Sequence, residues 1–399
     1  MQTSNPDNFF RTEADLARAE ERARKAERNK QLGDAIQFQG KVLSLLVTED
    51  DVWTAESGSI ARRTSLLSGK TKQIYRGHAG PVTCLEILDQ ADNRYLITGS
   101  WDKTIKIWDT KSKETLFSTS AHWDFLKDLL VIPSLQLLVS GSSDKKANLW
   151  DLKEIYSGTG PTIKLAGVAS GHTRPVQCIG YDTTAGTLYT GDSMGVIKGW
   201  DLDISEDRSS CRASQRAELK DHRTGVNSLS IHNGRIWSGS TDKTVVVQQK
   251  NGSGSPALIE HSEAVKCVLL VLNDYDEATH LVTGSGEDIK IFDISALALG
   301  EGSADLLGTM DAHSHDVTGL AIWRRQPTGE TNTGSGQTET WVVSGSLDGT
   351  IRKWKLQDLI SAKPGLHPPS NAPPAQNTTQ LGILTEEEER ELDELLDSD

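Results

Sequence analysis

Residues 98–109 read TGSWDKTIKIWD, and variants of this phrase return along the chain. The other copies are SGSSDKKANLWD (140–151), TGDSMGVIKGWD (190–201), SGSTDKTVVVQ (238–248), TGSGEDIKIFD (283–293) and SGSLDGTIRKW (344–354). A histidine precedes each copy, and successive histidines lie 39 to 52 residues apart: His78, His122, His172, His222, His261 and His313. A period of this length indicates a solenoid, a propeller or another repeat array.

Each unit contains four short segments with strand character. After His78 these are PVTCLEIL, YLITGS, TIKIWD and TLFSTS, which are rich in Val, Ile, Leu and Thr and are bounded by turn residues. Residues 41–75 follow the same order without the histidine, which adds a seventh unit. Four-stranded sheets bury their faces by stacking radially. The sequence therefore predicts an all-β fold, a single seven-bladed β-propeller of four-stranded antiparallel blades, in which residues 35–39 complete the last blade.

The two ends of the chain differ in composition from the repeats. Residues 1–33 are predicted to form an N-terminal charged helix, because residues 11–31 are rich in Ala, Glu and Arg and lack Gly and Pro. The propeller is predicted over residues 34–356. A Pro-rich linker over 357–384 and an acidic short helix or disordered tail over 385–399 are predicted to follow.

Charge and motifs narrow the classes of function. The net charge is −14, and the last fifteen residues hold nine acidic residues and one arginine. This balance makes nucleic acid binding unlikely, since such binding depends on Lys and Arg, and it favours basic partners. No apolar run is long enough to insert in a membrane. No P-loop, dinucleotide fingerprint or zinc-protease motif occurs, so no cofactor, no metal and no catalytic residue is predicted.

The cysteines indicate the compartment. Cys84, Cys178 and Cys267 occupy the same place in three units, so they are predicted to be separate buried thiols, and Cys211 falls in a polar segment predicted to be a loop. The absence of a disulfide pattern favours an intracellular protein, cytoplasmic and/or nuclear.

Three units carry a histidine followed by a Trp-Asp pair. They read Gly77-His78…Trp108-Asp109, Ala121-His122…Trp150-Asp151 and Gly171-His172…Trp200-Asp201. These residues resemble the signature of the WD40-repeat β-propellers. The resemblance implies a rigid disc that binds other proteins or peptides, usually without catalysis.

The resemblance also implies where partners bind. In that family, partners meet the face formed by the residues just after each histidine and just before each turn aspartate. The corresponding protein-binding face here is Trp101, Trp123, Phe125, Arg174, Arg223, His315 and Leu347. Exposed aromatic and Arg side chains dominate binding energy at interfaces.

A Ser/His/Asp set recurs in several units and is interpreted as structural. In the family such sets form a buried network from the indole N–H through a hydroxyl and an imidazole to a carboxylate. The residues are His78, Ser100, Asp102 and Trp108; His122, Ser142, Asp144 and Trp150; and His313, Ser346, Asp348 and Trp354. Complete networks are expected only in blades two, three and seven. A catalytic nucleophile would occur once, in a cleft, whereas these sets repeat.

Several functions remain open at this stage. The leading prediction is a non-catalytic interaction scaffold or adaptor. Alternatives are a substrate-recognition subunit of a ubiquitin ligase and a chaperone for basic proteins such as histones or ribosomal proteins. A helix followed by seven blades resembles the G protein β subunit, which implies a possible coiled-coil partner for the N-terminal helix.

Overall fold

The computed structural model describes residues 13–90, 93–250, 254–299, 302–325 and 338–362. These residues form seven four-stranded antiparallel sheets, so the seven-bladed propeller is confirmed. We call the upper face the one formed by the loops that lead into the first strand of each blade and by the turns between its second and third strands.

The first six blades are each built from four consecutive strands. Blade one consists of β2 (Val42–Thr48), β3 (Asp51–Glu56), β4 (Ile60–Ser65) and β5 (Thr71–Arg76). Blade two consists of β6 (Val82–Gln90), β7 (Asn93–Ser100), β8 (Thr104–Asp109) and β9 (Thr115–Ser120). Blade three consists of β10 (Leu126–Ile132), β11 (Leu137–Ser142), β12 (Lys146–Asp151) and β13 (Lys164–Ser170). Blade four consists of β14 (Val176–Asp182), β15 (Thr187–Asp192), β16 (Ile197–Ile204) and β17 (Cys211–Leu219). Blade five consists of β18 (Val226–His232), β19 (Arg235–Ser240), β20 (Thr244–Gln249) and β21 (Ala257–Glu260). Blade six consists of β22 (Val265–Leu272), β23 (Ala278–Ser285), β24 (Asp288–Asp293) and β25 (Asp305–Asp311).

The seventh blade closes the ring with a strand from the other end of the chain. Its strands β26 (Val317–Arg325), β27 (Glu339–Ser346) and β28 (Thr350–Lys355) are completed by β1 (Ile36–Gln37). In the pairing, Ile36 lies opposite Ile351 and Gln37 lies opposite Thr350. The predicted closure by residues 35–39 is therefore confirmed, and it removes a free sheet edge.

The glycine of the repeated phrase is required by close packing. A Cβ atom at Gly99 would lie 2.6 Å from the Sγ atom of Cys84, and one at Gly284 would lie 2.6 Å from Sγ of Cys267. The cysteine on the first strand thus fills the space that the glycine on the second strand leaves. All four cysteines are buried free thiols.

Four α-helices lie outside the blades in the described residues. The helices are α1 (Glu13–Arg28), α2 (Lys153–Tyr156), α3 (Ser295–Leu299) and α4 (Leu356–Ser361). Cys211 lies at the start of a strand and not in the predicted loop, because β16 and β17 continue as a long hairpin at the outer edge of blade four.

Helix α4 occupies the first residues of the predicted linker, and the rest of that linker and the predicted acidic tail lie outside the described residues. Among the helices of the described ranges, none is long and apolar enough to cross a bilayer.

Candidate protein-binding face

The histidine networks fix the upper loops of the blades. In blade two, the Trp108 indole donates to the Thr98 hydroxyl (2.8 Å), which hydrogen-bonds Nε2 of His78 (2.8 Å). Nδ1 of His78 then donates to Asp102 (2.8 Å). Each polar group of this network therefore has a partner, which offsets the cost of burying it.

The hydroxyl that links the indole to the imidazole belongs to Thr98 and not to Ser100, so the predicted assignment of Ser100 was wrong. Ser100 does not join the indole to the imidazole, because its hydroxyl donates to the carbonyl of Gly80 (2.9 Å) and accepts from the Asp102 amide (3.1 Å). Ser142 and Ser346 make the equivalent contacts in blades three and seven. These serines fix the turn, and the hydroxyl two residues earlier completes the network. In a β-strand, residues two apart share a face, so both choices fitted the pattern.

The networks are also more numerous than expected. Blades three and seven match blade two through Ser140 and Ser344, respectively. Blade four is complete as well, because Asp192 bonds His172 (2.9 Å) from the position that serine takes elsewhere. Blade five has Gln248 in place of the tryptophan, and blade six has no carboxylate on its histidine.

The pKa shifts at the network histidines depend on whether a carboxylate is bonded to the imidazole. Burial alone raises the pKa of Asp102, but hydrogen bonds from Thr104, the Ala79 amide and His78 outweigh it and lower that pKa. Burial lowers the pKa of His261 to about 4, since its Nδ1 faces only the carbonyl of Ile259 (3.1 Å). These groups are buried structural elements, and among the described residues no serine hydroxyl of the predicted sets is hydrogen-bonded to an imidazole ring.

Part of the predicted binding face forms an aromatic patch. The rings of Trp101 and Phe125 stack with centroids 5.1 Å apart, and both side chains are exposed. The ammonium of Lys127 lies 5.6 Å from the centre of the Trp101 ring, within the range of a cation–π contact. Blades two and three thus contribute to one patch.

The other predicted residues are spread around the disc. Trp123 is 86% exposed and lines a groove between blades two and three. Arg174 and Arg223 are exposed on blades four and five. His315 and Leu347 are only half-buried on blade seven, away from the aromatic patch.

Comparison with known proteins agrees with this geometry. The family model "WD domain, G-beta repeat" matches residues 69–109, 113–151, 213–247 and 304–355. This chain is a WD40-repeat β-propeller. Proteins of this kind are in general non-catalytic scaffolds. The first unit, which lacks histidine, and the fourth and sixth units fall largely outside the matched ranges.

Relatives of this WD40 propeller are divergent. A WD repeat-containing protein of Schizosaccharomyces pombe is 27% identical over 99% of this chain and all of its own length. A ribosome biogenesis protein (WDR12 homolog) of Anopheles gambiae is 26% identical over 36% of this chain and 33% of its own. The pre-mRNA-splicing factor PRP46 of Candida glabrata is 39% identical over 15% of this chain and 14% of its own. A computationally designed protein, Ika8, shares the fold with a TM-score of 0.56 at 20% identity, over 80% of this chain and 98% of its own.

The N-terminal helix of the propeller covers part of the upper face. Nζ of Lys25 lies 2.6 Å from Glu287 and also bonds Asp311. Arg22 pairs with Glu287 (3.2 Å) and Arg28 with Asp311 (2.8 Å). Burial lowers the pKa of Lys25, but the two carboxylates raise it more, so that the net shift is upward.

The helix meets the disc with its basic side. Its alanines Ala19, Ala23 and Ala26 remain exposed. The coiled-coil partner therefore stays a prediction, with these alanines as the available stripe.

Charge divides the upper face into two sectors. The acidic sector, on blades six and seven, carries Glu287, Asp288, Asp311 and Asp316. The cationic sector, on blades two to five, carries Lys103, Lys127, Lys145, Arg174 and Arg223. The turn aspartates of the cationic sector are bonded to histidines, and Asp124 and Asp221 are the other acids on its loops.

Proposed function

We propose that this WD40 propeller is a non-catalytic scaffold or adaptor that captures partner proteins or peptides on the cationic sector of its upper face. The observation that supports this most directly is the stacked, exposed pair of Trp101 and Phe125 with Lys127 beside it. Exposed aromatic rings contribute little to folding, whereas aromatic and Arg side chains contribute most of the energy at protein interfaces.

The arrangement of the rest of the face supports the same sector. Arg174 and Arg223 extend the exposed surface from blade three to blade five. The acidic sector is engaged by α1, so Glu287 and Asp311 already have partners within the chain. The cationic sector is therefore the larger surface left for a second protein.

The names of partial relatives support a role in macromolecular assembly. One is a ribosome biogenesis protein and another a pre-mRNA-splicing factor. Both names fit a scaffold that works in the nucleus or cytoplasm by binding other proteins. Neither name points to a catalytic activity.

The proposal is tested by affinity purification from cells with the full chain and the double variant Trp101→Ala/Trp123→Ala. We expect the double variant to lose its specific partners and to keep its melting temperature, because both side chains are exposed. Tyr275→Ala is a matched control, since Tyr275 is also 86% exposed but lies in the turn between β22 and β23 on the opposite face. An unchanged set of partners in the double variant would remove the cationic sector from consideration.

A further inference from the structure

Two grooves at the rim of the disc occupy equivalent places. One lies between blades two and three, has a volume of about 510 Å³ and is open to the surface. Its walls include Ser120, Trp123, Lys146, Trp150, Ile163 and Leu165. The other lies between blades six and seven, where Trp354 takes the place of Trp150. Each of these tryptophans donates to the hydroxyl of its own histidine network.

The groove between blades six and seven holds the chain's own N-terminal segment. Leu32 packs into the cluster that contains Trp354. The guanidinium of Arg352 donates to the carbonyls of Asn29 and Leu32, and the Asn29 amide donates to the carbonyl of Asp311 (3.0 Å). This groove therefore accepts the segment that follows the end of a helix, with an apolar side chain packed into the cluster around the tryptophan.

The groove between blades two and three has the opposite charge. Ser120 pairs with Thr104 as Asp311 pairs with Asp288, so Lys103 stands where Glu287 stands in blade six. Glu287 and Asp311 are the residues that bind the cations of α1. In blade two their places are taken by a cation and a neutral hydroxyl. A segment that matched this groove would carry acidic residues where α1 carries basic ones.

The size of this groove has a simple cause. Asn148 stands at the position of Arg352, and its short side chain donates to the neighbouring carbonyl of Ala121 (2.8 Å) instead of extending outward. No described segment of the chain covers the groove, and Leu165 on its wall is 51% exposed. The ammonium of Lys146 forms no ion pair with any described residue. An apolar surface beside an unpaired cation is suited to a ligand that has both apolar and acidic groups.

We propose that the groove between blades two and three binds an acidic segment of a partner protein that carries a bulky apolar residue. The apolar side chain packs between Leu165 and Trp123 above Trp150, as Leu32 packs against the cluster that contains Trp354. The carboxylates of the segment pair with Lys103 and Lys146. This inference rests on the proposed protein-binding function, and it assigns the partner a charge opposite to the one suggested by the net charge of −14.

The test measures binding of a fluorescent synthetic peptide made of alternating Glu-Glu and Leu-Leu pairs to the full chain. We expect saturable binding that weakens with salt and that Leu165→Ser and Lys146→Glu each reduce by about tenfold or more. Leu258→Ser is the matched control, because Leu258 is 60% exposed on the outer strand of blade five and lies outside the groove. Peptides with Lys for Glu or Ala for Leu are expected to bind far more weakly.

Any one of three results would overturn the inference. The first is the absence of saturable binding up to about 1 mM peptide, and the second is an equal effect of Leu165→Ser and Leu258→Ser. The third is tighter binding of a uridine oligonucleotide that displaces the peptide. Trp101 does not line the groove, so Trp101→Ala is expected to leave peptide binding unchanged. If Trp101→Ala/Trp123→Ala lost its cellular partners while Leu165→Ser left peptide binding unchanged, the groove would be rejected and the proposed function retained.

Discussion

The acidic and cationic sectors of the upper face are built on the same blade architecture and differ in what lies on them. In the acidic sector, Glu287 and Asp311 are neutralised by three basic residues of α1, and Lys25 is only 13% exposed. In the cationic sector, Trp101, Trp123 and Phe125 are exposed. Equivalent loops in different blades carry different side chains, and these side chains decide whether a sector stabilises the fold or is available to a partner.

The largest expected effect concerns the covered groove of the acidic sector. Deleting residues 1–34 leaves strand β1 in place but removes the segment that packs on Trp354 and accepts hydrogen bonds from the buried Arg352. We expect a loss of about 3–5 kcal/mol of unfolding free energy, the size found when a buried charge loses its partner. Urea denaturation of the deleted and full chains measures this loss.

A matched deletion at the other end provides the control. Removing residues 366–399 eliminates the same number of residues, and we expect it to change the unfolding free energy by much less. Similar midpoints for the two deletions would show that the N-terminal segment is not a structural part of the acidic sector.

A second prediction compares a histidine in each sector. His261 in blade six has its pKa lowered to about 4, so between roughly pH 6.5 and pH 4 the unfolded chain binds a proton that the folded chain does not. The stability contributed by this site is complete above pH 6.5 and is lost as the pH falls. At pH 5 the loss is about 2 kcal/mol relative to neutral pH.

Denaturation of His261→Gln at pH 7 and pH 5 measures this contribution. The variant is expected to lose less stability on acidification than the parent. His78→Gln is expected to change the pH dependence less, because Asp102 offsets part of the effect of burial on His78. Identical pH dependence in the parent and His261→Gln would contradict the assignment.

The smallest predicted effect is the coupling between α1 and the disc. A double-mutant cycle with Lys25→Met and Asp311→Asn should give a coupling of about 1 kcal/mol, because both groups are partly shielded from water. The exposed Glu20–Arg24 pair on the outer side of the same helix serves as the control, with a coupling near zero. Equal couplings would indicate that the helix does not rest on the acidic sector.

The repeated phrase carried most of the information about the fold. Its glycine recurs in six blades and its strand pattern in all seven, so the blade count and the closing strand could be predicted. The hydroxyl of the network was also visible, since Thr98, Ser140, Thr190, Ser238, Thr283 and Ser344 each precede the glycine of the phrase. It was missed because Ser100 and its equivalents recur with the same regularity.

The contacts that divide the upper face could not be predicted in the same way. Lys25 and Glu287 are 262 residues apart in the chain, and nothing local in either segment specifies the other. Their pairing depends on ring closure, which brings the N-terminal segment beside blade six. The groove between blades two and three is open because the side chain of Asn148 is short. This effect can be recognised only when the structure shows that the longer Arg352 takes the same position in blade seven.

Amine-reactive cross-linking of a captured complex, followed by mass spectrometry, tests the central claim most directly. We expect the partner to be cross-linked to Lys103, Lys127 and Lys145 of the cationic sector and to Lys146 of the groove between blades two and three. Cross-links confined to Lys70, Lys113 and Lys153, which follow the third strands on the opposite face, would contradict it.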